Sequence, residues 1–178
     1  MNKNTNQGIL KFIRDVPDFP KKGIIFKDIT PLLLNAAAMQ QTIDGLAEQF
    51  KGQKIDKIAA IESRGFIFAV PLAMKLGVGF IPLRKPGKLP WKTVKETYSL
   101  EYGTDSIEMH EDAVNHGDRV LIIDDLLATG GTAQGAANLI QKRGGTVAGI
   151  GFVIELGFLK GREKLSKFNN VKALVNYE

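Results

Sequence analysis

Hydrophobic and polar positions alternate along this chain in blocks whose spacing predicts secondary structure. Five blocks are short and almost continuously apolar, which is typical of buried strands. These predicted strands are KIAAIE (57–62), VGFIPL (78–83), RVLIID (119–124), TVAGIGFVIEL (146–156) and VKALVNY (171–177). Apolar residues at helical spacing predict helices over 7–16, from a cap at Asn35 to about Phe50, over 65–76 and over 132–143. Such strands alternating with helices indicate an α/β fold, a mostly parallel sheet flanked by helices.

Two long stretches lack a regular hydrophobic pattern. PDFPKKGIIFKDITPLLL, at 17–34, carries three prolines and predicts an irregular segment that lies over another part of the domain. RKPGKLPWKTVKETYSLEYG, at 84–103, has few apolar residues to anchor it, and loops of this length are usually lids or binding loops. Because no linker or low-complexity tract separates the blocks, we expect a single domain over 1–178.

The length and amino-acid composition exclude several classes of protein. A chain of 178 residues suits one domain that buries roughly 70% of its unfolded surface. The formal net charge is only +5, and the lysines are spread along the chain without an arginine-rich block, which argues against a nucleic-acid-binding surface. Cysteine is absent, and His110 and His116 are too few for a histidine-rich metal site. The polar segment 1–16 and the lack of a long apolar run predict a cytoplasmic protein with no membrane partner.

The segment VLIIDDLLATGGT, at 120–132, has the features of a phosphate-binding turn between a strand and a helix. Gly130 and Gly131 allow backbone N–H groups to converge, while Thr129 and Thr132 add hydroxyl donors. The positive end of the following helix dipole also favours an anion. The segment lacks the lysine of a Walker A loop and the spacing of a dinucleotide-binding fingerprint.

The adjacent Asp124 and Asp125 limit what this turn can bind. Carboxylates beside a phosphate would repel it unless they face ribose hydroxyls or the hydration shell of Mg²⁺. The pattern therefore predicts a site for a sugar that carries a phosphate. The alternative is a capped helix start with two solvated aspartates.

The complete segment closely resembles the motif by which type I phosphoribosyltransferases bind phosphoribosyl pyrophosphate (PRPP). The resemblance implies the type I phosphoribosyltransferase fold. It also implies that Asp124 and Asp125 hold the ribose 2′- and 3′-hydroxyls, and that the residues from Ala128 to Thr132 surround the 5′-phosphate.

Three further stretches resemble the members of this family that are specific for adenine. ESRGFIF, at 62–68, is similar to their diphosphate loop, which implies that Ser63, Arg64 and Gly65 turn toward the diphosphate. In this family the peptide bond at that turn is often cis or otherwise unusual. A cation such as Arg64 is disfavoured at a helix N-terminus, which also indicates an anion nearby.

RKPGKLPWKT (84–93) and YSLEYG (98–103) resemble the mobile loop of the same enzymes, here about 84–103. Its cations would offset the charge of the leaving diphosphate, and they are Arg84, Lys85 and Lys88. The resemblance assigns the proton of the incoming base to Glu101, with Tyr102 packing nearby. The implied catalytic residues are Glu101, Arg64 and Arg84.

DFPKKGIIFKDITPLL, at 18–33, resembles the N-terminal hood that closes over adenine, here about 1–34. The resemblance implies that Phe26 stacks on the purine, and that main-chain groups of Ile25 and Lys27 bind its edge. Lys22 stands where a proline is more usual and Lys27 where an arginine is. We therefore expect this chain to select adenine without the hydrogen bonds that a guanidinium at position 27 would add.

The implied reaction joins N9 of adenine to PRPP, giving AMP and diphosphate. Mg²⁺ would arrive with PRPP, with no direct protein ligand unless Asp124 or Asp125 contacts it through water. A homodimer is implied, and Arg84 is the candidate for a cation that enters the neighbour's site. Two alternatives remain at this point. One is transfer to a 6-oxopurine such as xanthine, and the other is a non-catalytic regulator that senses PRPP.

Overall fold

The computed structural model describes residues 8–99 and 103–178. The strands are β1 (Arg14–Pro17), β2 (Ile25–Asp28), β3 (Lys57–Ile61), β4 (Gly79–Leu83), β5 (Thr93–Ser99), β6 (Thr104–His110), β7 (Arg119–Leu127), β8 (Thr146–Leu156) and β9 (Val171–Tyr177). The helices are α1 (Thr30–Leu33), α2 (Ala36–Gln49), α3 (Arg64–Leu76), α4 (Gly131–Lys142) and α5 (Gly161–Lys164), with a 3₁₀ turn at Gly157–Leu159.

The centre of the fold is a five-stranded sheet in the order β4-β3-β7-β8-β9. Every neighbouring pair in it is parallel. All five strands predicted from the apolar blocks are present, which confirms the α/β class with a mostly parallel sheet. Because parallel strands share one carboxyl edge, the residues that follow β3, β4 and β7 lie along the same side of the molecule.

Helices cover both faces of this sheet, and the alternation of side chains along β7 shows why. Leu121 and Ile123 belong to a core cluster that includes residues of α2 and α3. Ile122, on the opposite face, belongs to a second cluster that includes residues of α4. The predicted cap of α2 is confirmed, because the Asn35 side chain accepts a hydrogen bond from the Ala38 N–H at 2.9 Å.

The predicted helix over 7–16 is wrong beyond residue 10. Residues 8–10 are helical, the chain then turns, and β1 pairs with β2 in an antiparallel hairpin. Ile9 and Ile13 are both buried, but a short turn followed by a strand satisfies their spacing as well as a helix does. Two cross-strand ion pairs, Arg14 with Asp28 and Lys27 with Asp15, accompany the strand pairing.

The part of the predicted loop at Thr93–Ser99 is regular structure, because it forms β5, which pairs with β6 in an antiparallel hairpin. Tyr98 is buried against α4, where a Cβ on Gly135 would lie 2.7 Å from the Tyr98 Cδ1. The second strand carries the buried Ile107 and Met109, which lie beyond the polar stretch in the sequence. Glu101 and Tyr102 lie outside the described residues.

In the ranges 8–99 and 103–178, no helix combines the length and the apolar character that a membrane crossing requires.

Candidate active site

The predicted phosphate-binding turn lies at the carboxyl end of β7, where the chain enters α4. A cavity of about 80 Å³ opens there, and its lining includes Asp124, Ala128, Thr129, Gly130 and Thr132. Gly130 has a φ of +80°, a conformation that favours glycine, and α4 begins at the next residue. The structure therefore places a helix N-terminus, two hydroxyls and an acidic residue around one small cavity.

The turn is supported from behind by α5. A Cβ on Gly130 would clash with the Gly161 carbonyl oxygen, and a Cβ on Gly161 would clash with that of Ala128. The Arg162 guanidinium binds both carboxylate oxygens of Glu155, at the end of β8, at 2.6 and 2.7 Å. Sequence reasoning assigned no role to this support, because only the folded chain brings residue 161 beside residue 130.

The two acidic residues lie in different surroundings at the end of β7. Asp125 is 5% exposed, and its Oδ2 is 2.8 Å from the Arg64 Nε. Asp124 is half-buried, and its Oδ1 accepts a hydrogen bond from the Asp125 N–H at 2.9 Å.

Burial raises the pKa of Asp124 well above its ordinary value, and the charge of Asp125 raises it further. Burial also raises the pKa of Asp125, although the Arg64 guanidinium opposes that shift. Both aspartates are therefore costly to hold ionised without a partner.

Arg64, which is predicted to bind the diphosphate, contacts one residue predicted for the ribose and one predicted for adenine. It is the first residue of α3 and follows Ser63, whose peptide bond with Glu62 is cis. Besides its pairing with Asp125, its guanidinium carbon lies 5.7 Å from the centre of the Phe26 ring. A Cβ on Gly65 would lie 3.0 Å from the Asp124 Oδ1, so glycine lets α3 begin close against β7. The residues predicted for diphosphate, ribose and adenine thus lie side by side.

The predicted cations after β4 have carboxylate partners that sequence reasoning missed. Glu62, whose side chain is 7% exposed, is 2.8 Å from the Arg84 Nε and 3.1 Å from the Lys88 Nζ. Its Oε1 also accepts the Lys85 N–H, while the Lys85 ammonium pairs with Asp105. Burial by itself would raise the pKa of Glu62, but these donors outweigh it and lower the pKa. Glu62 is the first residue of the predicted diphosphate motif, so position alone could have drawn attention to it.

The predicted adenine residues lie in β2. The Phe26 ring meets Phe19 edge-on with centroids 5.2 Å apart, and it is also the ring that Arg64 approaches. Residues two apart in a strand direct their main-chain groups to the same edge, so Ile25 and Lys27 can present theirs together. Glu101 is outside the described residues, but the strands on either side of it are paired, with Ser99 opposite Thr104.

Three comparisons, with family models, with curated proteins and with solved structures, agree with one another. The family model for the phosphoribosyl transferase domain matches residues 32–174. The chain is 61% identical to an adenine phosphoribosyltransferase of Maridesulfovibrio salexigens, over 87% of this chain and 91% of that protein. A crystal structure of adenine phosphoribosyltransferase from Thermoanaerobacter pseudethanolicus aligns with a TM-score of 0.94 at 54% identity, covering 97% of this chain and 99% of that one. The Saccharomyces cerevisiae enzyme, complexed with an imino-altritol bisphosphate and adenine, aligns at 0.90 and 42% identity, covering 96% and 98%.

The burial of Asp124 leads to a prediction about stability and pH. A carboxyl whose folded pKa is raised stabilises the fold fully below its unfolded pKa, and that stability is lost as pH rises through the folded pKa. Asp124→Asn keeps an oxygen to accept the Asp125 N–H and removes the buried charge. We therefore expect a higher unfolding midpoint than wild type at about pH 8, and a difference that disappears near pH 4.

Thermal unfolding of the ligand-free protein across this pH range measures the effect. Asp112→Asn, at an exposed aspartate, controls for the loss of one negative charge. A lower midpoint for Asp124→Asn at pH 8 would show that the ionised carboxylate stabilises the fold.

Proposed function

We propose residue roles from one premise: the chain belongs to the phosphoribosyl transferase domain family and, within it, to the adenine phosphoribosyltransferases. The reaction of such an enzyme transfers the phosphoribosyl group of PRPP to N9 of adenine, giving AMP and diphosphate. The observation that carries the assignment of roles is the position of Arg64, in contact with both Asp125 and Phe26. Arg64 belongs to the proposed diphosphate subsite, so its two contacts make that subsite adjacent to the proposed ribose and base subsites.

The sugar phosphate is the part of the substrate for which the described residues offer the most donors and acceptors. Residues 128–132 would bind the 5′-phosphate through backbone N–H groups and the hydroxyls of Thr129 and Thr132. Asp124 and Asp125 would accept hydrogen bonds from the ribose hydroxyls. In this role their negative charge also stabilises the positive charge that develops on the ribose ring.

The diphosphate would be met by Ser63, Arg64 and Gly65 at the start of α3, and by the cations after β4. Glu62 already holds Arg84 and Lys88 at the carboxyl edge of the sheet, so these cations would not have to be ordered when the substrate binds. During the reaction the C1′–oxygen bond breaks with its electron pair on the diphosphate. The N9–C1′ bond forms at the same carbon.

Phosphoribosyltransferases generally depend on Mg²⁺. In the part of the chain that the structure describes, no group of three or more His, Asp or Glu side chains could hold a metal ion. The Asp124–Asp125 pair does supply oxygen donors beside the proposed ribose subsite. These residues fit a hydrated Mg²⁺ carried by PRPP, contacted through Asp124 or Asp125 and water. Bound there, the ion would neutralise part of the charge of the leaving diphosphate.

The base would lie against Phe26, with its edge toward the main-chain groups of Ile25 and Lys27. The yeast relative described above was crystallised with adenine, which supports adenine as the base here. Main-chain donors and acceptors discriminate adenine from 6-oxopurines because the two kinds of base present opposite groups at that edge. Glu101 would take the N9 proton or stabilise the charge that forms on the base, with Tyr102 beside it.

We also propose a homodimer. The outer face of α3 exposes Ile67, Val70 and Met74 at helical spacing, and Met74 is 79% exposed. Two copies of this face would bury each other's apolar side chains. That Arg84 enters the partner's site stays a prediction, since within one chain its Nε pairs with Glu62. The cytoplasmic location also stays a prediction, to be tested by cell fractionation.

Light scattering tests the dimer. We expect a mass of about twice 19.5 kDa for the native protein, and a shift toward 19.5 kDa for Met74→Lys, which places a charge in the apolar face. Lys75→Met, a neighbouring change in charge, is the control. A native mass of a single chain would contradict the proposal.

The activity is tested by product analysis with one base at a time. Mixed with Mg²⁺, PRPP and adenine, the protein is expected to form AMP and diphosphate in equal amounts. Hypoxanthine, guanine and xanthine should give little or no nucleotide, because their 6-oxo group meets the wrong main-chain group. Formation of a 6-oxopurine nucleotide in preference to AMP would contradict the assigned base. PRPP binding without any product would indicate a sensor.

The role of Glu101 is tested by Glu101→Ala. Loss of a group that transfers a proton in the transition state should lower kcat by ~10²-fold or more. The affinity for PRPP should stay close to that of wild type, because the sugar and phosphates are bound by other residues. An unchanged kcat would remove Glu101 from the chemistry.

A further inference from the structure

The Lys27 side chain occupies an unusual position for a lysine in a small hairpin. It is only 11% exposed, although the hairpin is separate from the central sheet. Its Nζ is 2.7 Å from the Asp15 Oδ1 and 4.0 Å from the centre of the Tyr177 ring. A cation over a tyrosine face is attracted by the ring quadrupole, and more strongly where water is excluded. The lysine therefore joins β1, β2 and β9.

Neighbouring side chains along β2 point in opposite directions. Phe26 faces Arg64 and the proposed base subsite, whereas Lys27 faces the last residue of β9. β9 is an edge strand of the central sheet, and Tyr177 is held there opposite Leu156 of β8. This contact is one link between the two-stranded hairpin and the sheet that carries the rest of the site.

The second cross-strand ion pair of the hairpin provides a useful contrast. Arg14 binds Asp28 within the hairpin, and its side chain is 61% exposed. Both residues of that pair belong to the hairpin, so the pair holds β1 to β2. The Lys27 contact differs because its far end belongs to the central sheet, so it acts on where β2 lies and not only on the internal pairing of the hairpin.

We propose that the Lys27 side chain is a positioning residue for the base: by holding β2 against Tyr177 it sets the place at which the main chain of residues 25 and 27 meets adenine. The inference rests on the proposed function, and it concerns the lysine that this chain carries at position 27. The side chain itself points away from the base. Its effect is therefore on adenine binding, and not on PRPP or on the bond-forming step.

Steady-state kinetics with both substrates tests the inference, first on two variants of the lysine. Lys27→Met keeps the length and apolar stem of the side chain but removes the charge, and we expect the KM for adenine to rise about tenfold. The KM for PRPP should change less than about twofold, because residues 124–132 are untouched. Lys27→Arg should restore most of the adenine affinity, since a guanidinium also pairs with a carboxylate and stacks on an aromatic ring.

Tyr177 supplies a matched pair from the other side of the contact. Tyr177→Leu, which removes the ring face, should raise the KM for adenine as Lys27→Met does, and Tyr177→Phe, which keeps the face, should recover it. The double variant Lys27→Met/Tyr177→Leu should have a KM for adenine only slightly higher than that of either single variant, because both substitutions remove the same interaction. Lys51→Met, which removes an exposed lysine just after α2, controls for the change in net charge.

Amide hydrogen exchange on the same proteins separates anchoring from recognition. Lys27→Met should speed exchange in residues 24–28 and leave β7 unchanged. Faster exchange with an unchanged KM for adenine would overturn the positioning role, as would an equal rise in both KM values or a lack of rescue by Lys27→Arg. A wild-type protein that forms no AMP would instead overturn the proposed function, and this inference with it.

Discussion

Two adjacent carboxylates at the end of the central strand are the constraint around which the site is built. Burial of Asp125 needs a cation, and Arg64 supplies it from the first turn of α3 at 2.8 Å. Gly65 then allows the helix to begin close to Asp124. Arg64 also lies against the Phe26 ring, so this one side chain contacts both the N-terminal hairpin and the central sheet. Charge compensation thereby sets the distances between three of the proposed subsites.

Other charged groups around the site are already paired before any ligand binds. Glu62 holds Arg84 and Lys88, and Glu155 holds Arg162, whose neighbour Gly161 supports the turn at Gly130. Groups fixed in this way need little reorganisation when charge develops on a substrate, and such preorganisation is a main source of electrostatic catalysis. It also has a cost, since Asp124 is held where burial opposes its ionisation. A site that binds a sugar can thus lower the stability of the fold that carries it.

Local patterns allowed the central sheet, its flanking helices and the acidic turn to be predicted. The sequence signal for a buried strand or for a strand-to-helix turn lies in consecutive residues. The β5–β6 hairpin was missed because its anchors, Ile107 and Met109, lie outside the polar stretch and belong to a core cluster that includes residues of β4, β7 and α4. The N-terminal helix was overextended because Ile9 and Ile13 fit a helix and a turn equally well. Glu62 and Gly161 escaped notice since their partners are far away in the sequence, and only the fold brings them together.

The proposed roles depend on the turn at 128–132 holding a phosphate while the aspartates hold the sugar. A crystal structure of the protein with AMP tests this most directly. We expect the 5′-phosphate among the N–H groups and hydroxyls of residues 128–132, with the ribose hydroxyls donating to Asp124 and Asp125. A nucleotide bound elsewhere, with this turn empty or closed against Gly161, would contradict the central claim.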